Sequence, residues 1–273
     1  MERSGSALLL VLLLAFTLFP LFWMVSTSLK TTLEATDLPP SWLPLSPTLD
    51  NYRKLFTERE GFVIFVQNSF IVCAATTAIS TLLSVLGGYA LSRFDFRLNR
   101  VLLSIILVAN IFPMVLLLIS LYEFFARLQL LDTYTALVLS FTTFALPFAV
   151  WMMKGFIDSV PKEIEEAAQV DGCSRLKALF SVVLPIITPG TMAVAVFSFL
   201  AAWNNLLFPL ALTSSLEKRT VTVGLVLTYV GETQTRWAEL MAASFVVTLP
   251  VVIAFILVER FMVKGLAAGA VKG

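Results

Sequence analysis

Histidine is absent from the 273 residues, charged side chains make up only 14% of them, and cysteine occurs twice. Without imidazole the chain lacks the commonest general base, the commonest neutral metal ligand and the usual proton shuttle. Hydrolytic, redox and metal-centred chemistries lose their ordinary equipment, so no catalytic residue, metal site or bound cofactor is expected. Cys73 and Cys173 sit in or beside different apolar stretches, which argues against a disulfide framework. A formal net charge of +1 gives no reason to expect nucleic acid as a partner. The scarcity of charge also excludes a soluble domain. Such domains carry roughly a quarter charged residues, and one core of this length cannot hide a chain that is 58% hydrophobic.

What is present is a series of uncharged runs long enough to cross a bilayer, which takes ~20 residues at helical rise. They lie at about 7–29, 62–92, 101–122, 133–153, 186–207 and 240–258. The second exceeds the need and is expected to tilt or bend. The fifth belongs to a longer uncharged stretch broken by Pro185, Pro189 and Pro209. Segments this apolar must satisfy their own backbone, and the alternation of a membrane barrel is missing. The fold class is therefore all-α: a polytopic membrane protein of six transmembrane helices in a single domain over 1–273, with lipid around it. A cleaved signal peptide is an alternative for the first run, but that run is too long and lacks a small-x-small cleavage site before Lys30.

Six crossings put both termini on one side. The connections on that side carry eleven of the nineteen basic residues, and the Arg93–Arg100 turn holds three where the opposite Glu123–Asp132 turn holds one. By the positive-inside rule the termini are cytoplasmic. Glu123, Glu239 and Glu259 stand only at span ends, where they solvate helix termini. Proton-coupled pumps and voltage sensors place ionisable groups within the spans. If this protein moves a solute uphill, its energy comes from elsewhere.

One cytoplasmic connection, 154–185, has content of its own. Val160-Pro161-Lys162-Glu163-Ile164-Glu165-Glu166 reads as a helix start, with proline in the first turn and carboxylates at the positive end of the dipole. Ile164, Ala167, Ala168 and Asp171 then share a face, and Gly172 falls where a left-handed C-cap residue is needed. A second short helix is predicted over roughly 174–183. Two short helices joined by glycine, with alanines on one face, suit a groove on another protein, where Glu166 would meet a basic residue. An amphipathic loop on the membrane surface is equally compatible on physics alone.

The spacing Glu166-Ala167-Ala168, three residues, Gly172, nine residues, Val182-Val183-Leu184-Pro185 resembles the motif of ABC-importer membrane subunits. Val182 stands where that family usually has isoleucine. Further likeness lies in Phe19-Pro20-Leu21-Phe22-Trp23, Asn51-Tyr52-Arg53-Lys54-Leu55-Phe56 and Asn68-Ser69-Phe70. It continues in Gly88-Tyr89-Ala90-Leu91-Ser92-Arg93-Phe94, Ala202-Trp203-Asn204-Asn205 and the stretch from Lys264 to Gly273. Nearly the whole chain thus resembles a carbohydrate permease, similar to the shorter membrane subunit of the maltose importer. The resemblance implies the ABC type I importer permease fold, multi-pass in the inner (cytoplasmic) membrane. It implies a second homologous permease, two cytoplasmic ATP-binding subunits that hold ATP and Mg, and an external solute-binding protein. Glu166, Ala167, Ala168, Asp171 and Gly172 would form the ATPase-coupling helix. This chain has no Gly-x-x-x-x-Gly-Lys-Ser/Thr loop for nucleotide.

For a sugar path through the middle spans, uncharged amides and aromatic faces are the expected lining. The candidates are Asn110, Phe112 and Met114 near Pro113; Thr142, Thr143 and Phe144 before Pro147; and Trp203, Asn204 and Asn205. Helix packing, with Asn and Thr as interhelical hydrogen-bond donors and acceptors, is the competing role for each. A secondary transporter, a membrane-embedded enzyme and an assembly protein without an ATPase partner are the rival functions. The first would need intramembrane ionisable residues or internal repeats, and the second a convergent catalytic set.

Overall fold

A chain of uncharged 20-residue runs has few ways to pair its backbone, and among the residues described here every regular element is helical. The computed structural model describes residues 2–57, 61–94, 97, 99–109, 113–231 and 235–270. The principal helices are α1 (Glu2–Ser28), α2 (Asp50–Thr57), α3 (Phe62–Arg93), α4 (Asn99–Ala109), α5 (Met114–Arg127) and α6 (Tyr134–Asp158). They are followed by α7 (Lys162–Val170), α8 (Arg175–Ile186), α9 (Thr188–Trp203), α10 (Leu207–Leu212), α11 (Val221–Tyr229) and α12 (Trp237–Ala270).

Four single helices are long and apolar enough to span a membrane: Ser6–Ser28 within α1, α3, α6 and Trp237–Ile256 within α12. Together α8 and α9 also meet that requirement, but they are bent by 86° at a break around Ile187. Prolines explain the bend. Pro185 and Pro189 lack the N–H that a continuous helix would need, and Pro189 sits in the first turn of α9, where that donor is dispensable. The helix predicted over 174–183 therefore continues to Ile186, through a widened π turn at Leu179–Val183. The run predicted at 101–122 is divided between α4 and α5, and α5 starts at Met114 behind Pro113. Asn110 and Phe112 lie outside the described residues.

Contacts divide the chain into two compact units, Met1–Val66 with Val223–Pro250, and Gln67–Thr222 with Val251–Gly273. In the first, α1 leaves its apolar flank from Leu8 to Phe22 exposed, a surface suited to lipid or to another apolar partner. The segment after it is knotted by polar side chains. Lys30 is 1% exposed, donates to the Ser41 carbonyl at 2.5 Å and lies 4.8 Å from the Trp23 ring centroid. Asn51 Nδ2 donates to the carbonyls of Ser28 and Lys30, both at 2.8 Å, satisfying oxygens that the end of α1 leaves free. Glu34 Oε1 accepts from the Leu45 N–H at 2.6 Å and the Ser41 hydroxyl at 3.1 Å. The Leu45 N–H first, then Ser41, the Ser46 N–H and the Lys30 charge, hold its carboxyl below the usual range against a smaller opposing effect of burial. Leu55, Phe62, Tyr229, Ala242 and Ala243 form the core of this unit.

The second unit is built on α6, which packs along α9 and against α4. Its core joins Val85 and Tyr89 of α3 to Ala149 and Met153 of α6, Leu179 and Val183 of α8 and Val194 of α9. Gly88 is where α3 meets the α6 backbone. A Cβ added there would lie 2.9 Å from the Lys154 nitrogen and 3.1 Å from the Met153 carbonyl carbon, neither of which can swing aside. Gly155, the residue after Lys154 on α6, has open space around it. Gly88→Leu is expected to push the two helices apart and destabilise the protein by about 1–3 kcal/mol, lowering its melting temperature in detergent, whereas Gly155→Ala leaves that temperature unchanged or slightly raised.

Candidate functional site

The connection after α6 turns at Ser159-Val160-Pro161, and Pro161, with φ −54° and ψ 136°, stands at the N-cap of α7. Glu163 and Glu165 occupy its first turn. At the other end the Gly172 N–H donates to the Gln169 carbonyl and the Cys173 N–H to the Ala168 carbonyl, both at 3.0 Å. Gly172 has φ +90°, the left-handed conformation predicted for it. Ser174 then caps α8 by accepting from the Lys177 N–H at 3.3 Å. Glycine thus lets α7 and α8 fold against each other as a helix pair.

Four of the five coupling residues picked from the sequence are exposed. Glu166, Ala167, Asp171 and Gly172 face outward and Ala168 is half-buried. Exposed apolar side chains accompany them: Ile164 at 41%, Leu176 at 60% and Val170 at 86%. Small and apolar groups that protrude from a short, rigid helix pair are the features of a docking surface.

The opposite side of α7 holds a residue that sequence reasoning passed over. Glu165 is 4% exposed. Its Oε2 accepts from Arg93 Nε at 2.9 Å, and its Oε1 accepts from the Tyr89 hydroxyl. Arg93 also donates to the Val160 carbonyl at 2.9 Å and to Ser92 Oγ at 3.2 Å. Ser92 Oγ in turn donates to Asp158 Oδ1 at 2.6 Å, and Lys154 pairs with Asp158 Oδ2 at 2.5 Å. Tyr89, Arg93, Glu165, Lys162, Glu166 and Arg175 line a polar cleft of about 210 Å³. The available signal was the row Glu163, Glu165, Glu166, of which one carboxylate must face inward on a helix lying against the protein. Which inward neighbour it meets is not a property of local sequence.

Of the solute-path candidates that are described, Met114 and Asn205 come together, Asn205 Nδ2 lying 3.9 Å from Met114 Sδ. The Asn205 side-chain oxygen also caps α10 by accepting from the Phe208 N–H at 3.1 Å. Thr142 is buried with no partner for its hydroxyl among the described residues, while Thr143 is exposed and donates to the Leu139 carbonyl at 2.8 Å. Phe144 lies against Phe208, ring centroids 4.8 Å apart. Trp203 is buried, stacked on Phe199 and edge-on to Phe70, and Asn204 is exposed.

A second polar cluster, also missed, clamps the 213–222 connection. Asn68 Nδ2 donates to the carbonyls of Glu217 and Arg219, both at 2.8 Å, and its Oδ1 accepts from the Tyr134 hydroxyl at 2.6 Å. Ser69 Oγ accepts from the Val221 N–H at 2.8 Å. Asp132, at φ 59°, accepts through Oδ1 from the Ser214 and Ser215 N–H groups at 2.9 and 3.1 Å. Burial pushes the Asp132 carboxyl up, but its bonds to Ser214 and Ser215 and the Lys218 charge outweigh this and hold it below the ordinary value. With a depressed folded-state pKa, its stabilisation is complete above the unfolded-state value and is lost as pH falls through the folded one. Amide exchange over 213–221, corrected for intrinsic rate, should therefore be slow at neutral pH and speed up in acid. Asp132→Ala should show the fast rate already at pH 7.

Residues 67–267 match the family described as binding-protein-dependent transport system inner membrane component. The sulfoquinovosyl glycerol transport system permease protein SmoH of Agrobacterium fabrum is 40% identical over 262 residues, covering 96% of this chain and 91% of its own. The diacetylchitobiose uptake system permease protein DasC of Streptomyces coelicolor is 35% identical, covering 96% of this chain and 95% of its own. The trehalose/maltose transport system permease protein MalG of Thermococcus litoralis is 33% identical over 96% of this chain and 94% of its own. Among solved structures, a chain of a bacterial ABC transporter involved in import of the acidic polysaccharide alginate superposes with TM-score 0.81, at 22% identity and 95% coverage of both chains, a likeness of fold. The chain therefore belongs to the binding-protein-dependent transport system inner membrane components, the multi-pass permease subunits of ABC importers.

Proposed function

We propose that this permease carries a sugar or glycoside inward by alternating access and draws its energy from ATPase subunits docked on the α7–α8 pair. The observation that carries this reading is the exposed pair Glu166 and Ala167, beside half-buried Ala168, on a helix ending in left-handed Gly172, at the spacing that resembles importer membrane subunits. A mechanical contact of this kind acts by interacting differently with two states of the transporter. The termini and the α7–α8 pair face the cytoplasm, in agreement with the distribution of basic residues. A second permease completes the pathway, and an external binding protein delivers solute to the Lys30–Gly61 and Pro209–Trp237 connections. ATP and Mg reside in the partner ATPases, and this chain contributes no catalytic group.

The solute class rests on relatives whose names specify a sulfosugar glycoside, diacetylchitobiose and trehalose or maltose. Polyols suit a path whose polar groups are amides and hydroxyls, since these supply donors and acceptors without the cost of buried charge. Asn205, Met114 and Thr142 are the described residues best fitted to it. Asn110 and Phe112 extend the candidate set, and Thr143, Phe144 and Asn204 border it. Trp203 serves it indirectly, by holding the end of α9.

Copurification from native membranes tests the assembly: an ATPase and a second permease should accompany this chain, and their absence would favour a secondary transporter or an assembly protein. Gly172→Pro removes the N–H bonded to Gln169 and forbids φ +90°. The variant should insert into the membrane normally yet abolish ATP-driven uptake in vesicles. Normal uptake would sink the coupling assignment.

A further inference from the structure

The exposed face of α7 explains how the helix could receive a force, but not how the force leaves it. A short helix hinged on Ser159-Val160-Pro161 at one end and Gly172 at the other would flex under load. Arg93 removes that freedom at the first hinge. One guanidinium bonds the Val160 carbonyl, before Pro161, and the Glu165 carboxylate, after it. The connection therefore cannot bend without breaking one of those bonds. Glu165 is gripped through both oxygens by Tyr89 and Arg93, which stand one helical turn apart on the same face of α3. Ser92 and Asp158 tie that end of α3 to the end of α6, where Gly88 already brings the two backbones into contact. The pair is shielded: the Arg93 and Glu165 side chains are 8% and 6% exposed. A buried ion pair of this kind gains little over an apolar pair in stability, but leaves an uncompensated charge when one partner is removed, and so it enforces a geometry.

We infer that Glu165 and Arg93 are positioning residues that lock α7 to the ends of α3 and α6, so that motion received on its exposed face is delivered to those helices as one rigid body. The inference rests on the coupling role proposed above and adds where the motion goes. Glu165 does its work on the face turned away from the ATPase, and it transmits rather than docks. Lys162, Glu166 and Arg175 share the cleft, and no ion pair between either cation and Glu165 is found among the described residues.

The test uses the assembled transporter in proteoliposomes, with solute uptake and ATP hydrolysis measured together. Glu165→Gln and Arg93→Gln should each lower solute moved per ATP hydrolysed by about tenfold, a coupling loss within the range for paired residues. The ATPase should still copurify and hydrolyse ATP. Arg93→Lys keeps a cation with donors for both the Glu165 carboxylate and the Val160 carbonyl, and should hold the ratio within ~3-fold of wild type. If a Gln variant fails to insert in the membrane, Arg93→Lys decides: assembly with the ratio within ~3-fold of wild type supports the lock, and failure of either overturns it. Unchanged uptake per ATP in both Gln variants also overturns it. So does selective loss of the ATPase from membrane-inserted Glu165→Gln, since that would make Glu165 part of the docking surface. If the wild-type complex itself shows no ATP-dependent uptake, the transport reading fails and this inference falls with it.

Discussion

A backbone placed in hydrocarbon has no water to bond, so each of its polar groups must be satisfied from within the protein. Long helices meet that demand for the spans, and what remains are the places where helices stop. There, buried side chains take over. Asn51 caps the carbonyls at the end of α1, Asn68 binds two carbonyls of the 213–222 connection, Asp132 takes two of its N–H groups, and Arg93 takes the carbonyl before α7. Each is a polar group with several donors or acceptors in one rigid plane, placed beside a helix end. The spans make the protein insoluble in water, and these clamps give its connections a defined shape.

That division of labour accounts for much of the family likeness. Asn51-Tyr52, Asn68-Ser69 and Tyr89 through Arg93 enter the sequence argument as matched letters, and in the structure each is a set of bonds. Tyr52 shares a 2.6 Å bond with Ser28, Asn68 and Ser69 hold one connection, and Tyr89, Ser92 and Arg93 hold another. Gly88, in the same stretch, is small because α6 passes against it. Such residues constrain the frame on which transport is built. Thr142 is less constrained, its hydroxyl having no partner among the described residues.

In the coupling role proposed above, one nine-residue helix, α7, meets two demands. Its outer face must fit another protein, which favours alanine and exposed aliphatic groups. Its inner face must not slip, which favours a carboxylate held by a fork. Neighbouring residues Glu165 and Glu166 divide these roles because successive positions on a helix point about 100° apart.

Several features were legible in the sequence because they depend on local chemistry. The bounds of α3 and the start of α6 follow from uncharged length, the turn after α7 from a glycine at a C-cap position, and the break in the uncharged 178–216 stretch from Pro185 and Pro189. The helix of the 154–185 connection was legible through its first-turn proline and carboxylates and its apolar 3.6-residue period. Only the tertiary structure decided that the chain bends by 86° between α8 and α9, that α5 starts behind Pro113, and that Glu165 rather than Glu166 meets Arg93. Helix formation and capping depend on neighbours within one turn, which the sequence displays. The partners of Asn68, Asp132 and Glu165 lie some 70 to 150 residues away. No local period records which distant backbone a buried side chain will meet.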